Sequence, residues 1–455
     1  MATMIYGMLN TAKSALVTQQ RALTVTANNI ANVNTDGYSR QRLNMDQNKT
    51  AGGTGVIQRI YDRFLAKQMT DAASEGGRWE AQGEILEKAE LMFDDATGYG
   101  LNGAMAQFWN SWQDVANNPS GYTERATLLA NAENLTLVFN KLSRDLTQVL
   151  ADSDISITGT VDDINTLTRE IADLNLRIAE VETGNVQNAN EFRDRRDMKL
   201  QTLSSLIDVG SFEDANGYLT VATTNGHTLV DQTRSWNLAT EKNTNGFQDV
   251  FWESSSGSRD NITGDISTGK LKGWIEARDQ IIPRYQTQLD DIAVAMANAV
   301  NSQHNDGRDL NGDAGLDFFT PFTGASDITV NGLIGDDTNL IAAAADTENV
   351  PGGNSNAIAM AEIQNRLLMS GGSATMDDYY NGLVSDAGRF VAQAKINGDH
   401  QSTVSLQLAI YREEVSGVSM DEEMVNMVQF QSAYTAAAKM VNTVDEMLQT
   451  LMAMV

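Results

Sequence analysis

The sequence predicts a mainly α-helical protein with a β-rich insertion: a terminal α-helical coiled coil, a long helical bundle and a small outer β domain. Three observations carry this expectation. Met427, Phe430, Tyr434, Ala437, Val441, Val444, Leu448, Leu451 and Val455 step by threes and fours, the seam of a helix packed on another helix. Near the other end, Leu9, Ala12, Leu16, Gln19, Leu23, Thr26, Ile30 and Val33 repeat that spacing. At Val209 the texture changes from helical periods to alternation and turn residues.

In chain order, residues 8–32 read as an amphipathic helix. Its seam is weak, because Ala12, Gln19 and Thr26 stand where Leu or Ile packs best. Asn32 to Gly37 ends it, with Asp36-Gly37 as the turn signal. Tyr38 to Met45 is extended or irregular, and residues 51–55 are a Gly-rich loop. A helical block is expected from about Ile57 to Ile207, broken at Gly76-Gly77, Thr97-Gly98, Asn117 to Pro119 and Gly184-Asn185. Its clearest stripes are Leu128, Leu135, Leu142, Leu146, Val149 and Ile164, Leu167, Ile171, Leu174, Ile178, Val181, as in long antiparallel helices. Strands follow at 217–222 and 227–230 around the Asn225-Gly226 hairpin signal, then at 235–239 and 249–252. Helix returns from Leu271 to about Ser302. Residues 304–351 read as loop and short strand, and helix resumes at Ser355 with breaks near Gly371-Gly372 and Gly398.

The predicted domains are therefore 1–60 with 412–455 for the coiled coil, 61–208, 269–303 and 352–411 for the bundle, and 209–268 with 304–351 for the outer β-rich domain. The two termini should lie side by side, with the β insertion furthest from them.

Composition narrows the function. A formal net charge of −28 repels nucleic acid and anionic membranes, so neither is an expected partner. With no cysteine, disulfides, thiolate metal sites and cysteine nucleophiles are excluded. The N-terminus lacks a secretory pattern, since Lys13 is the first basic residue and no clean apolar core precedes it. No run approaches the ~18 apolar residues of a membrane helix. Any export would use another route.

Few residues suggest chemistry. Asp309, Asn311, Asp313 and Asp317 have calcium-loop spacing, but Ala314 and Thr320 stand where such a loop needs Gly and Glu, and an Asx-rich turn accounts for them better. His227, His304 and His400 are isolated. The Arg193 to Asp197 run reads as a salt-bridged face, and Asp421, Glu422 and Glu423 as a first helical turn whose carboxylates suit the dipole. Six methionines between Met424 and Met454 are either core filling or an adaptable interface. No phosphate loop, nucleophile elbow or metal-helix motif is present, so no catalytic, metal or cofactor-binding residue is expected.

Ala27 to Tyr38, twelve consecutive positions, closely resembles the N-terminal signature of the flagellar axial proteins of rod, hook and hook-associated type. Ser39-Arg40-Gln41, the block Asn301 to His304 with Asp309 to Gly315 and Asp317 to Phe319, and Gly352 to Asn356 resemble the hook-associated protein 1 family. So does the stretch from Ser416 to Glu423 with Gln431, Tyr434, Ala436, Asp445 and Glu446. Residues 209–268 carry little of the resemblance. It implies a non-enzymatic structural subunit of the bacterial flagellum at the junction between hook and filament. It further implies export by the flagellar type III route to the extracellular flagellum, with a chaperone shielding the C-terminal helix. The implied partners are further copies of this chain in a ring, the hook protein and a second hook–filament junction protein.

The assembly interface is expected at Leu16, Leu23, Asn28, Asn29, Ile30, Asn32, Asn34, Thr35, Gly37 and Tyr38, and at Met427, Phe430, Gln431, Tyr434, Val441, Val444, Leu448 and Leu451. The alternative within structural proteins is a hook or distal rod protein, against which Ser39 to Gln41 and the Asp309 block speak. An enzyme carried on the flagellar scaffold, with its site in the β insertion, is the rival from another class.

Overall fold

A computed structural model describes residues 2–44, 55–93, 100–182, 189–320 and 322–453. The expected breaks at Thr97-Gly98 and Gly184-Asn185, the 51–54 part of the loop, Met454, Val455 and the Leu451 side chain lie outside the described residues.

Helix α1 (Ala2–Ala31) leads into a hairpin of β1 (Gln41–Asn44) and β2 (Val56–Arg59). The helical block thus begins later than Ile57, at α2 (Arg63–Met92), whose N-terminus Asp62 caps by accepting from the Phe64 and Leu65 amides. Helix α2 runs straight through Gly76-Gly77, where the sequence suggested a break. Gly77 serves packing: a Cβ there would sit 2.0 Å from the Ser205 carbonyl oxygen. Gly77→Ala should therefore cost about 1–3 kcal/mol, whereas Gly83→Ala, with its nearest contact at 3.8 Å, should be neutral or slightly stabilising. Urea denaturation of the two variants checks this, and equal midpoints would refute it.

Helix α3 (Leu101–Asn117) turns at Asn118 into α4 (Tyr122–Glu182), then α5 (Asn190–Leu206). The two leucine-rich stripes expected as separate helices are one continuous α4 of 61 residues, about 90 Å long.

Two antiparallel sheets follow. Strands β3 (Val209–Glu213), β4 (Leu219–Thr223), β5 (Thr228–Asp231) and β6 (Arg234–Ser235) form one, in sequence order. Strands β7 (Leu238–Lys242), β8 (Gln248–Glu253) and β9 (Arg259–Asn261) form the other, so the strand expected at 235–239 is divided between them. Helices α6 (Gly269–Glu276) and α7 (Ile282–Asp306) are joined through a π turn. Short helices α8 (Gly332–Asp336) and α9 (Ser355–Ala361) precede α10 (Met376–Ser416), which is not broken at Gly398. Helix α11 (Met420–Ala453) ends the description.

One core links the bundle, sheets and loops, with α2 against α5, α6 and α10, and α4 against α3, α5 and α7. Asparagines along α4 join it to the rest. Asn175 donates to the carbonyls of Leu219 and Gln232 and accepts from the Leu219 amide, while Asn165 binds both backbone groups of Leu238. Asn140 donates to the Ala325 and Ile328 carbonyls, and Arg125 to those of Thr338 and Ile341.

Residues 304–351 thus do not join the β sheets, as the sequence reading had it. They form a separate lobe with only isolated bridges among the described residues, and Arg125 and Asn175 stand about 75 Å apart along α4. Phe318 and Phe319 plug this lobe into the Phe108, Trp109 and Trp112 cluster of α3. In the 309–313 turn, Asp309 Oδ1 accepts from the amides of Asn311 and Asp313, the Asx turn.

His304 is buried in the same lobe, with Nδ1 2.5 Å from the Leu316 carbonyl oxygen and Nε2 accepting from the Ala342 amide at 2.9 Å. Burial, with Arg125 nearby, lowers its pKa to about 4, so the imidazole is neutral and Nδ1 carries the proton. The unfolded chain binds this proton near pH 6.5 and the folded chain only near 4. Stability should then fall by on the order of 3 kcal/mol as the pH drops through that window. Urea midpoints of His304→Gln against the parent chain across pH 4–7 test it. The variant should show a flatter profile there, and identical profiles would exclude the assignment.

Candidate assembly interface

Helices α1 and α11 pack against each other and stand outside the common core, which among the described residues contains none of either. They run antiparallel, because Asn29 near the end of α1 bonds Glu423 at the start of α11. On α11 the seam matches the expectation at Ala437 and Val444, which are buried, and at Met427, Phe430, Val441 and Leu448, which are half-buried. Tyr434 and Gln431 are exposed, with Ala433 half-buried beside the pair instead.

On α1 the expected seam holds at Ala12 and Thr26 and differs elsewhere. The buried residues are Ile5, Ala12, Ala22, Val25, Thr26 and Asn29. Leu16, Leu23 and Ile30, expected in the seam, are rotated one residue away and remain half-exposed. Burial falls on Ile5, Ala12, Ala22, Val25, Thr26 and Asn29 and not on the leucines.

The N-terminal signature forms a knot at the base of this pair. Its centre is Asn29. The amide nitrogen donates to the Gln41 carbonyl at 2.9 Å and to Glu423 Oε2 at 3.1 Å. Its oxygen accepts from the Tyr38 hydroxyl at 2.9 Å and the Gln41 amide at 3.0 Å. One side chain thereby stands in for a neighbouring strand along β1 and ties both termini. Arg40 completes the tie through Glu423 and Glu422, at 2.7 and 2.8 Å. The Arg40 amide donates to the Ser416 carbonyl, and Arg412 to the Gly37 carbonyl. Burial, with Asp194 and Glu423 near, pushes the Tyr38 phenol up to about 12, so it remains a donor.

Asn32 stabilises the turn by donating to the Asn28 carbonyl and accepting from the Thr35 hydroxyl. Asn28, Asn34 and Thr35 themselves are exposed. Gly37 has φ +78°, and a Cβ there would lie 2.1 Å from Met198 Sδ, so only glycine fits.

Helix α5 holds the knot from the other side. Asp194 accepts from the Ser39 amide and, with Asp197, from Arg59. The same run reaches the β sheet, since Arg193 and the fully buried Arg196 both pair with Glu213 of β3. Asp36, Gly37, Ser39, Arg412 and β3 line one cleft of about 570 Å³. The β insertion is therefore beside the base of the terminal pair and not furthest from it; the 304–351 lobe is at the far end. Glu423, Arg412, Asp194 and Arg59 were not read as knot residues from sequence. Asp194 had a signal only as part of a salt-bridged run and Glu423 only as part of a first helical turn and the Ser416 to Glu423 resemblance, and neither signal pointed to Asn29 or Ser39.

The flagellar hook-associated protein FlgK helical domain matches residues 86–319, the basal body rod protein pattern residues 9–38, and the basal body rod FlgEFG C-terminal pattern residues 412–454. Flagellar hook-associated protein 1 of Bacillus subtilis (strain 168) is 31% identical over 497 residues, covering 97% of this chain and 96% of that protein. The chain belongs to the flagellar hook-associated protein 1 family. Its Escherichia coli (strain K12) namesake is 27% identical over 541 residues, covering 98% and 99% of the two chains. The flagellar hook junction protein FlgK from Burkholderia pseudomallei shares the fold, with a TM-score of 0.67 at 17% identity over 77% of this chain and all of that one. In this hook-associated protein 1 family member, the two rod-type patterns fall on α1 with its signature and on the end of α10 with α11, the segments the knot ties together. No helix among the described residues is long and apolar enough to cross a membrane.

Proposed function

We propose that this chain is a structural subunit of the bacterial flagellum that connects hook to filament, assembling through α1 and α11. The observation that carries this is the knot: Asn29, Arg40 and Glu423 lock the two chain ends into one antiparallel pair that lies outside the core. Such a pair is free to enter a tube wall while the bundle stays intact. The residues proposed to meet other subunits are Leu16, Leu23 and Ile30 on α1, exposed Asn28, Asn34 and Thr35, and Gln431 and Tyr434 on α11. The exposed methionines Met424, Met440, Met447 and Met452 favour an adaptable interface over core filling. They suit an export chaperone before assembly and neighbouring copies afterwards. Hook protein and a second junction protein are the proposed partners at the two ends of a ring of copies. The role is mechanical, with no catalytic step.

Electron microscopy of cells lacking this gene tests the reading. Completed hooks without attached filaments are expected, and normal filaments on such cells would refute it.

A further inference from the structure

A second groove, of about 440 Å³, opens between α2, the π turn, α7 and α10, and among the described residues none of α1, α11 or the knot lines it. Its size is that of a small-molecule site. Trp79 of α2 and Phe390 of α10 give it half-buried aromatic walls. The π turn Ala277–Ile281 contributes Gln280 and Ile281, and single π turns recur at functional sites.

Polar groups in this groove lack partners. Gln82 is only 7% exposed, yet its side-chain amide makes no hydrogen bond among the described residues. The Trp79 indole N–H and the Gln280 amide make none there either. A buried amide without a partner is costly, so Gln82 calls for a group that completes it.

The charge is the reverse of the rest of the chain. Arg78 and Lys272 share Glu276, while Arg284 and Arg389 share Asp386. Four cations against two carboxylates leave a local positive surplus on a chain of net charge −28. The guanidiniums are held flat by stacking: Arg78 lies 4.9 Å from the Trp79 ring centre, and Arg389 and Arg284 lie 4.5 and 5.7 Å from that of Phe390. Arg284 uses only Nη2 on Asp386, which leaves Nε and Nη1 as donors.

We propose that this groove binds a carboxylated sugar of the hexuronate class. Arg284 takes the carboxylate through its free N–H groups. Gln82, Gln280 and the Trp79 N–H meet ring hydroxyls, which both donate and accept. The C–H faces of the sugar pack on the aromatic walls. A peptide is the poorer fit, because the walls are helical and their backbone groups are already paired, so no edge is offered to an extended chain.

Isothermal titration of the full-length protein with trigalacturonate, maltotriose and triglutamate tests this. Trigalacturonate should bind saturably, with maltotriose about tenfold weaker. Arg284→Gln should weaken trigalacturonate about tenfold, the loss of one charge-assisted bond, and Gln82→Met roughly fivefold. Gln280→Ala, on the exposed turn, should also weaken it and serves if Gln82→Met does not fold. No saturable binding of trigalacturonate, equal binding of maltotriose, tighter binding of triglutamate, or affinity unchanged by these substitutions would each overturn the proposal.

Discussion

Deleting residues 421–455 should abolish incorporation into flagella while the remaining chain folds. The core explains the second half of this expectation: its buried cluster ends at Ala394 and takes nothing from α1 or α11. The first half follows from what is lost. Without α11, Glu423 no longer accepts from Asn29 and Arg40, and the Ala12 to Asn29 face of α1 has no cover. An isolated helix whose seam is alanine, glutamine and threonine is marginal in water. Two measurements check this: thermal unfolding of the purified truncation should move by a few degrees at most, and immunoblots of sheared flagella should contain none of it. Normal incorporation of the truncation would refute assembly through α11.

The second large effect is expected at Asn29. Asn29→Ala removes four hydrogen bonds at once and leaves the Gln41 backbone groups unsatisfied beside a buried Glu423 carboxylate. At about 1 kcal/mol for each bond lost, with more for the charged partner, the terminal pair should be destabilised by roughly 4–5 kcal/mol. Amide exchange in α1 and α11 should then quicken by more than a hundredfold, with α4 unchanged. Asn29→Asp should be worse still, because it places a second carboxylate against Glu423. Uniform exchange across the whole molecule in either variant would mean the knot is part of the global fold and not a separable latch.

The α11 seam was legible because its large residues themselves lie at helical spacing. The α1 seam was legible only at Ala12 and Thr26, since hydrophobic periodicity sees leucines while Leu16, Leu23 and Ile30 stay half-exposed and Ala22, Val25 and Asn29 are buried. The same bias misread Gly76-Gly77 and Gly398: glycine in a sequence marks either a turn or a place where another backbone comes close, and only the neighbour, here Ser205 beside Gly77, distinguishes them. The position of the β insertion was hidden for a different reason. It is set by Arg193 and Arg196 reaching Glu213, a pairing between elements that no local spacing encodes. The signature around Asn29 was readable as a motif, but its physical content, one amide substituting for a strand, required the fold.

The length of α4 bears on load. The 304–351 lobe is fastened at Arg125 and Asn140, and the sheets at Asn165 and Asn175, all on a single uninterrupted rod. No hinge separates these attachments, so a twist delivered at one extremity reaches the other through the helical ladder as a shared rotation, and the two lobes turn together as a stiff spoke.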